Sequence, residues 1–153
     1  MEFVPINLSK DRDVIIAFRR DSFVVSFGTA EDFHEDQYLD WLRTQIKKYP
    51  DGFVLALEDN RPVGQVELTI RECEGRTIGY VNLFYLIADK RGMGSGRLLQ
   101  RYAMDFFRKH GVQEYHLRVS PTNKRAISFY YKNGMRKLKS EFDDQVIRMV
   151  GEV

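Results

Sequence analysis

Residues 83–99 read Leu83-Phe84-Tyr85-Leu86-Ile87-Ala88-Asp89-Lys90-Arg91-Gly92-Met93-Gly94-Ser95-Gly96-Arg97-Leu98-Leu99, and this stretch decides the fold. Leu83–Ala88 is the longest uninterrupted apolar run in the chain. An apolar run this short, ended by turn residues, reads as a strand covered on both faces. Three glycines at alternate positions then punctuate a turn. Beyond it Leu98, Leu99, Tyr102, Ala103, Phe106 and Phe107 share one helical face, Lys109 and His110 suit the helix C-terminus, and Gly111 suits the position just past it. Tyr115–Val119 alternates as a half-buried strand. Strand, helix, strand in this order requires a crossover, so a parallel pair is expected inside the sheet.

Working outward, Phe53–Leu57, Val63–Ile70 and Ile78–Ile87 read as an antiparallel meander, turned at Asp59-Asn60-Arg61-Pro62 and at Glu74-Gly75-Arg76. Residues 2–8 give a first strand, and a helix capped by Ser9 runs toward Phe27, where Gly28 breaks it. A second helix spans 35–48 with Tyr38, Leu39, Leu42 and Ile46 on one face. After the crossover a short helix covers 123–132, and strands at 135–139 and 146–150 flank the turn Glu141–Asp144. The expected fold class is α/β: a mostly antiparallel mixed sheet with one parallel pair and about four helices, in a single domain over residues 1–153.

The 153 residues suit one domain with a substantial core. With 43% hydrophobic and 13% aromatic residues, a disordered chain is excluded. The lone cysteine, Cys73, excludes an intrachain disulfide and a multi-thiolate zinc site, and His34, His110 and His116 form no ligand pair, so no metal is expected. No export signal or membrane span is read, which makes a cytoplasmic protein the expectation. The net charge of +2 conceals a segregation: residues 90–140 hold thirteen Lys and Arg against two acids. That stretch suits a polyanion, either nucleic acid or a phosphorylated cofactor, or else forms a solvated basic face.

Glycines let backbone N–H groups approach a ligand closely, and the helix that follows adds free donors and the positive end of its dipole. Such a turn binds phosphate oxygens. The dinucleotide fingerprint fails because Arg97 stands where its last glycine belongs, and no segment supplies the nucleoside-triphosphate loop. A turn without a ligand is the alternative.

Further residues narrow the choice. Arg91-x-x-Gly94-x-Gly96 after an apolar strand resembles the acyl-CoA motif of the GCN5-related N-acetyltransferases (GNAT). Asn123-x-x-Ala126-Ile127-x-Phe129-Tyr130-x-Lys132-x-Gly134-Met135 resembles that family's second signature, in the family's order. Pro62-Val63-Gly64, opening a strand after an acidic turn, fits as well. The resemblance is specific over residues 80–136. It departs from the family at Ala88, where proline is common, and at Met135, where an aromatic is common.

The resemblance implies an acetyl-CoA-dependent transfer of an acetyl group to a primary amine, by direct attack in a ternary complex, on a sheet that splays after the glycine-turn strand. It implies that Leu86 and Ile87 pair with the pantetheine arm, and that the amides of Gly92, Met93, Gly94, Ser95, Gly96 and Arg97 cradle the pyrophosphate. Arg91 and Arg97 add charge, Lys132 reaches an outer phosphate, Asn123 bonds the arm, and Phe129 and Tyr130 lie against the cofactor. Arg97 and Lys132 read equally well as solvated surface. Tyr130 takes the place of the family's proton donor to the leaving sulfur, or is one more core aromatic.

The base is less evident. Residues 78–87 carry no Asp or Glu, so Glu67 on the preceding strand is the closest candidate, ahead of Glu72 and Glu74. Glu67 alternates with Val66 and Leu68, the pattern of a side chain facing solvent. On the acceptor side Glu31, Asp32, Glu35, Asp36 and Asp40, with Asp143 and Asp144, read as attractors for a cationic amine or as a solvated acidic face. Phe33, Tyr38 and Trp41 read as walls of an apolar site or as core. A small-molecule acceptor is favoured over a protein, without nucleic acid or membrane, in a monomer or homodimer. Two alternatives stand beside the enzyme: a non-catalytic acyl-CoA sensor and a basic nucleic-acid-binding module.

Overall fold

A computed structural model describes residues 1–153. The chain runs β1 (Glu2–Pro5), α1 (Leu8–Phe27), α2 (Glu35–Lys48), β2 (Phe53–Glu58), β3 (Arg61–Cys73), β4 (Arg76–Leu86), α3 (Gly96–Lys109), β5 (Glu114–Val119), α4 (Lys124–Lys132), β6 (Arg136–Glu141) and β7 (Val146–Glu152), with a 3₁₀ turn at Ala88–Lys90. Seven strands form one sheet in the order β1-β2-β3-β4-β5-β7-β6. Every pair is antiparallel except β4–β5. The expected meander, crossover and four helices are all present. No helix is long and apolar enough to cross a membrane.

The cap of α1 lies two residues earlier than expected. Asn7, not Ser9, is the N-cap, and its side chain accepts from the Lys10 amide at 3.1 Å. Asn in extended backbone does this as well as Ser. Gly28, at φ 82°, closes the same helix.

Two cores lie on opposite faces of the sheet. On one, Leu99, Ala103, Phe106 and Phe107 of α3 cover Val66, Leu68, Val81 and Leu117, with α4 packed at the margin through Ala126, Ile127 and Tyr130. On the other, α1 and α2 bring Ile15, Phe18, Tyr38 and Leu42 over Phe53, Leu55, Leu83 and Tyr85. The strand at 83–86 is therefore covered on both faces, but unequally: Leu83 and Tyr85 are buried while Phe84 and Leu86 are only half-buried.

The inequality follows from the sheet's one discontinuity. The parallel pairing of β4 with β5 covers only Gly79–Val81 against Tyr115–Leu117. Beyond it the strands diverge, so Phe84 and Leu86 border a gap. At the same point Asn82 is an extra residue in β4: Leu83 faces Glu67 and Val81 faces Leu68 on β3. A bulge of this kind bends the strand and increases its twist.

Candidate active site

The gap leads directly to the glycine turn. Gly92 and Gly94 have φ of 74° and 86°, and a Cβ at either would meet nothing within 4 Å. The left-handed backbone is what demands glycine there, and the space around it is open. Backbone bonds in the turn run from Lys90 to Ile87, Arg91 to Ala88, Arg97 to Gly94 and Leu98 to Ser95. They leave the amides of Gly92, Met93, Gly94 and Ser95 without an acceptor in the chain. The N-cap of α3, Ser95, makes no side-chain cap bond. Four free N–H groups at a helix start form the donor set a diphosphate needs. Arg97 and Lys132 stand exposed nearby in the chain's basic stretch.

The second motif is joined to the first by close packing. A Cβ on Gly96 would lie 3.0 Å from the Phe129 ring, so any larger residue there would push the ring back by a few tenths of an ångström; glycine lets α4 seat closely against the start of α3. Phe129 thus walls the turn, and Tyr130 follows it into the margin of the core. Burial, with Tyr115 beside it, pushes the Tyr130 phenol above its ordinary range. It is therefore neutral at pH 7 and a weaker acid than the sequence suggests. Asn123 is the N-cap of α4, its Oδ1 accepting from the Ala126 amide at 3.3 Å.

Two expectations about the turn strand are corrected. The Ile87 amide donates to the Val63 carbonyl of β3 at 2.9 Å, so it faces away from the gap. Peptide groups alternate sides along a strand, which turns Phe84 and Leu86 toward the gap and Ile87 toward β3. Arg91 is also not free to serve the turn. Its Nε donates to the Leu86 carbonyl at 2.8 Å and its Nη2 to Asp21 of α1 at 3.0 Å, under the Tyr85 ring, whose hydroxyl also donates to Asp21 at 2.5 Å. Arg91 anchors the turn strand to α1.

Glu67 departs furthest from expectation. It is fully buried, on the sheet face beneath α1 and α2, because both faces of β3 carry helices and neither is solvent. Tyr38 of α2 donates to its Oε2, as does Gln65 at 2.9 Å, and Gln65 also donates to the Tyr38 oxygen at 2.9 Å. Glu67 Oε1 accepts no hydrogen bond; the nearest cation, Arg19 Nη1, is 3.8 Å away. Burial raises the Glu67 carboxyl above the usual carboxylate range, against the opposing pull of Arg19, Tyr38 and Gln65. Burial beside the Glu67 charge raises the Tyr38 phenol in turn. Tyr38 was missed as a partner because nothing local in sequence links positions 29 apart.

A groove of about 300 Å³ opens on this face, with Arg19, Tyr38, Trp41, Arg71 and Asn82 among its walls. Phe33, Tyr38 and Trp41 serve both readings, lining the groove and packing beneath it. The acids before α2 and on its first turns form a solvated face rather than a groove lining: Glu31, Asp32, Asp36 and Asp40 are exposed, Glu35 is paired with Arg12 and Arg20 and Asp40 with Arg43, and among the five N-terminal acids only Asp32 reaches the groove. A larger hollow of about 390 Å³ beside Met1 and Glu58 sits at the far sheet edge and gathers no buried titratable group.

A mixed sheet that splays between parallel strands, with a glycine turn at the mouth of the splay, defines an acyl-CoA-binding class of protein. The model of the acetyltransferase (GNAT) family matches residues 14–135, and the chain belongs to that family. A curated relative, the uncharacterized N-acetyltransferase MJ1207 of Methanocaldococcus jannaschii, is 31% identical over 103 residues, 65% of this chain. The chain spans 44% of that relative's length. Two solved structures share the fold. The PaiA N-acetyltransferase of Thermoplasma acidophilum, solved with coenzyme A, superposes with a TM-score of 0.76 at 22% identity, covering 99% of this chain and 98% of that one. The ribosomal-protein-alanine N-acetyltransferase of Brucella melitensis gives 0.76 at 17% identity, covering all of both chains.

Proposed function

We propose that the chain is an acetyl-CoA-dependent N-acetyltransferase acting on a primary amine by direct attack in a ternary complex. The observation that carries this reading is the row of unpaired amides from Gly92 to Ser95, open to solvent at the mouth of the β4–β5 splay. The residues present fit the coenzyme. The amides take the diphosphate, Phe84 and Leu86 offer backbone groups to the pantetheine arm, and Arg97 and Lys132 supply exposed positive charge.

The coenzyme brings an acetyl thioester. The amine nitrogen forms a bond to the acetyl carbon, the carbon–sulfur bond breaks, and the sulfur leaves with the electron pair. Glu67, opposite the bulge at the start of the splay, takes the proton lost by the ammonium, directly or through one water. Its raised pKa and its unpaired Oε1 suit it to that role. Tyr130 donates a hydrogen bond to the departing sulfur. A thiol pKa of about 8.5 lies below that of tyrosine, about 10, and burial widens the difference, so Tyr130 stabilises the thiolate without giving up its proton. Cys73 ends β3 beyond Arg71, away from the splay, so no acyl-cysteine is invoked. The groove's volume suits a small amine or the first residues of a peptide.

Calorimetry with coenzyme A, followed by thiol release from acetyl-CoA over an amine panel, tests the proposal. Binding with release supports it. Binding without release from any amine converts the chain to an acyl-CoA sensor. No binding, with salt-dependent capture of duplex DNA, would favour a nucleic-acid module.

A further inference from the structure

The class of acceptor can be narrowed, on the footing of the proposed acetyl transfer. Three guanidinium groups converge on one ring: Arg71 lies 3.7 Å from the Tyr80 centroid, Arg148 5.7 Å and Arg118 5.9 Å. A ring face offsets part of the cost of such crowding, but one ring is poor compensation for three cations. A single carboxylate, Glu141, serves two of them, at 2.9 Å from Arg118 Nε and 3.7 Å from Arg148 Nη1. Arg148 is further held by donating from Nε to His116 Nδ1 at 2.8 Å. Arg71 is half-buried and has no carboxylate at all; its Nη2 donates to Asn82 Oδ1 at 2.7 Å. Burial, with Arg118 and Arg148 alongside, pulls the Arg71 pKa down, as expected of a cation without a counter-charge.

This excess of positive charge adjoins the acceptor groove, because Arg71 and Asn82 are among its walls. A continuous set of contacts leads from the base to the arginines. Arg19 Nη1 lies 3.8 Å from Glu67 Oε1 and donates to the Asn82 carbonyl at 3.3 Å, and the Asn82 side chain receives Arg71. The β6–β7 turn adds an aromatic ring to the arginine cluster. Phe142 holds φ at 55°, a left-handed conformation costly for an aromatic residue, and presents an exposed ring 4.9 Å from the Arg118 guanidinium.

We propose that the acceptor is a primary amine that also carries an anionic group, a carboxylate or a phosphate, and that Arg71 and Arg118 hold this anion while the amine lies at Glu67. Guanidinium forks match both oxyanions in geometry. The acceptor is then recognised at two ends, by opposite charges.

Four dipeptide amides test the assignment: Ala-Glu, Ala-Gln, Ala-phosphoserine and Ala-Ser. Two readouts are taken, thiol release with acetyl-CoA and quenching of Trp41, the chain's single tryptophan, which lines the same groove. The charged member of each pair is expected to bind and react at least about tenfold better than its neutral partner, the scale of a charge-assisted hydrogen bond. Arg71→Gln should shrink that ratio to about two- to threefold, and Arg118→Gln, at a more exposed site, should do the same with less risk to the fold. Coenzyme A binding should stay unchanged in both. The larger of the two charged-to-neutral ratios separates carboxylate from phosphate. Equal quenching by charged and neutral peptides in the unaltered chain would overturn the inference, as would an undiminished ratio in both variants. Selective quenching with no thiol released from any peptide would leave the anion seat standing and remove the enzyme instead.

Discussion

The coenzyme end and the acceptor end of this molecule are built from different materials. At the glycine turn the working groups belong to the backbone: amides freed by left-handed glycines, and peptide groups of a strand that has lost its neighbour. In the proposed reading the acceptor end works instead through side chains: Glu67 and Arg71 from β3, Tyr38 from α2, Arg19 from α1 and Asn82 from a bulge in β4. Backbone sites constrain which residues are allowed, so they leave a motif. Side-chain sites assembled from four elements constrain only geometry, and leave none.

Three variants probe that division, in falling order of effect. Tyr130→Phe stands where the two ends meet. Turnover should fall about 10–10⁴-fold while calorimetry finds coenzyme A affinity little changed; unaltered turnover at saturating acetyl-CoA would remove Tyr130 from the chemistry. Gly94→Ala should damage the coenzyme end alone. The residue sits at φ 86° with open space around it, so the penalty is conformational, about 1–3 kcal/mol. The KM for acetyl-CoA should rise roughly 5–100-fold, with the acceptor KM steady. An equal rise in both would show the two ends to be coupled.

Glu67→Gln should damage the acceptor end alone, and its signature is pH dependence. If Glu67 is the base, kcat/KM rises with pH through its elevated pKa, and the variant loses that acidic limb. Stability moves the other way. Because the folded pKa lies above the unfolded value, the stability Glu67 contributes is full in acid and is lost as pH rises through the folded pKa. The variant's Tm relative to the unaltered chain should therefore climb as pH rises above about 4.5 and through the folded pKa. Each 1 kcal/mol is worth roughly 2–4 °C in a chain of this size. A flat difference in thermal scans would mean the carboxylate is not strained by burial.

The same division explains what was legible in the sequence. Element order, the parallel crossover and the glycine turn could all be read from residues 53–119, because periodicity and turn chemistry are local. Glu67 reads from the sequence as a base candidate or as a solvent-facing side chain, and it is buried for a definite reason. Polar–apolar alternation reveals that Gln65, Glu67 and Thr69 share one face, but not that α1 and α2, encoded before residue 49, come to cover it. The resemblance gives Arg91 to the phosphate turn, but its partner in the fold, Asp21, is 70 positions away, beyond the reach of any local pattern. The resemblance pairs Ile87 with the pantetheine arm; which way its peptide group points depends on the register with β3, which one strand's sequence does not carry.

The bulge at Asn82 has a consequence for how this protein can vary. Removing that one residue would shift the following half of the strand by a single step and exchange its two sides. Leu83 and Tyr85 would swing out of their core, Tyr85 would lose Asp21, and Phe84 and Leu86 would turn inward. Position 82 can thus accept other side chains more readily than it can accept deletion. Along this strand, length is held more tightly than identity.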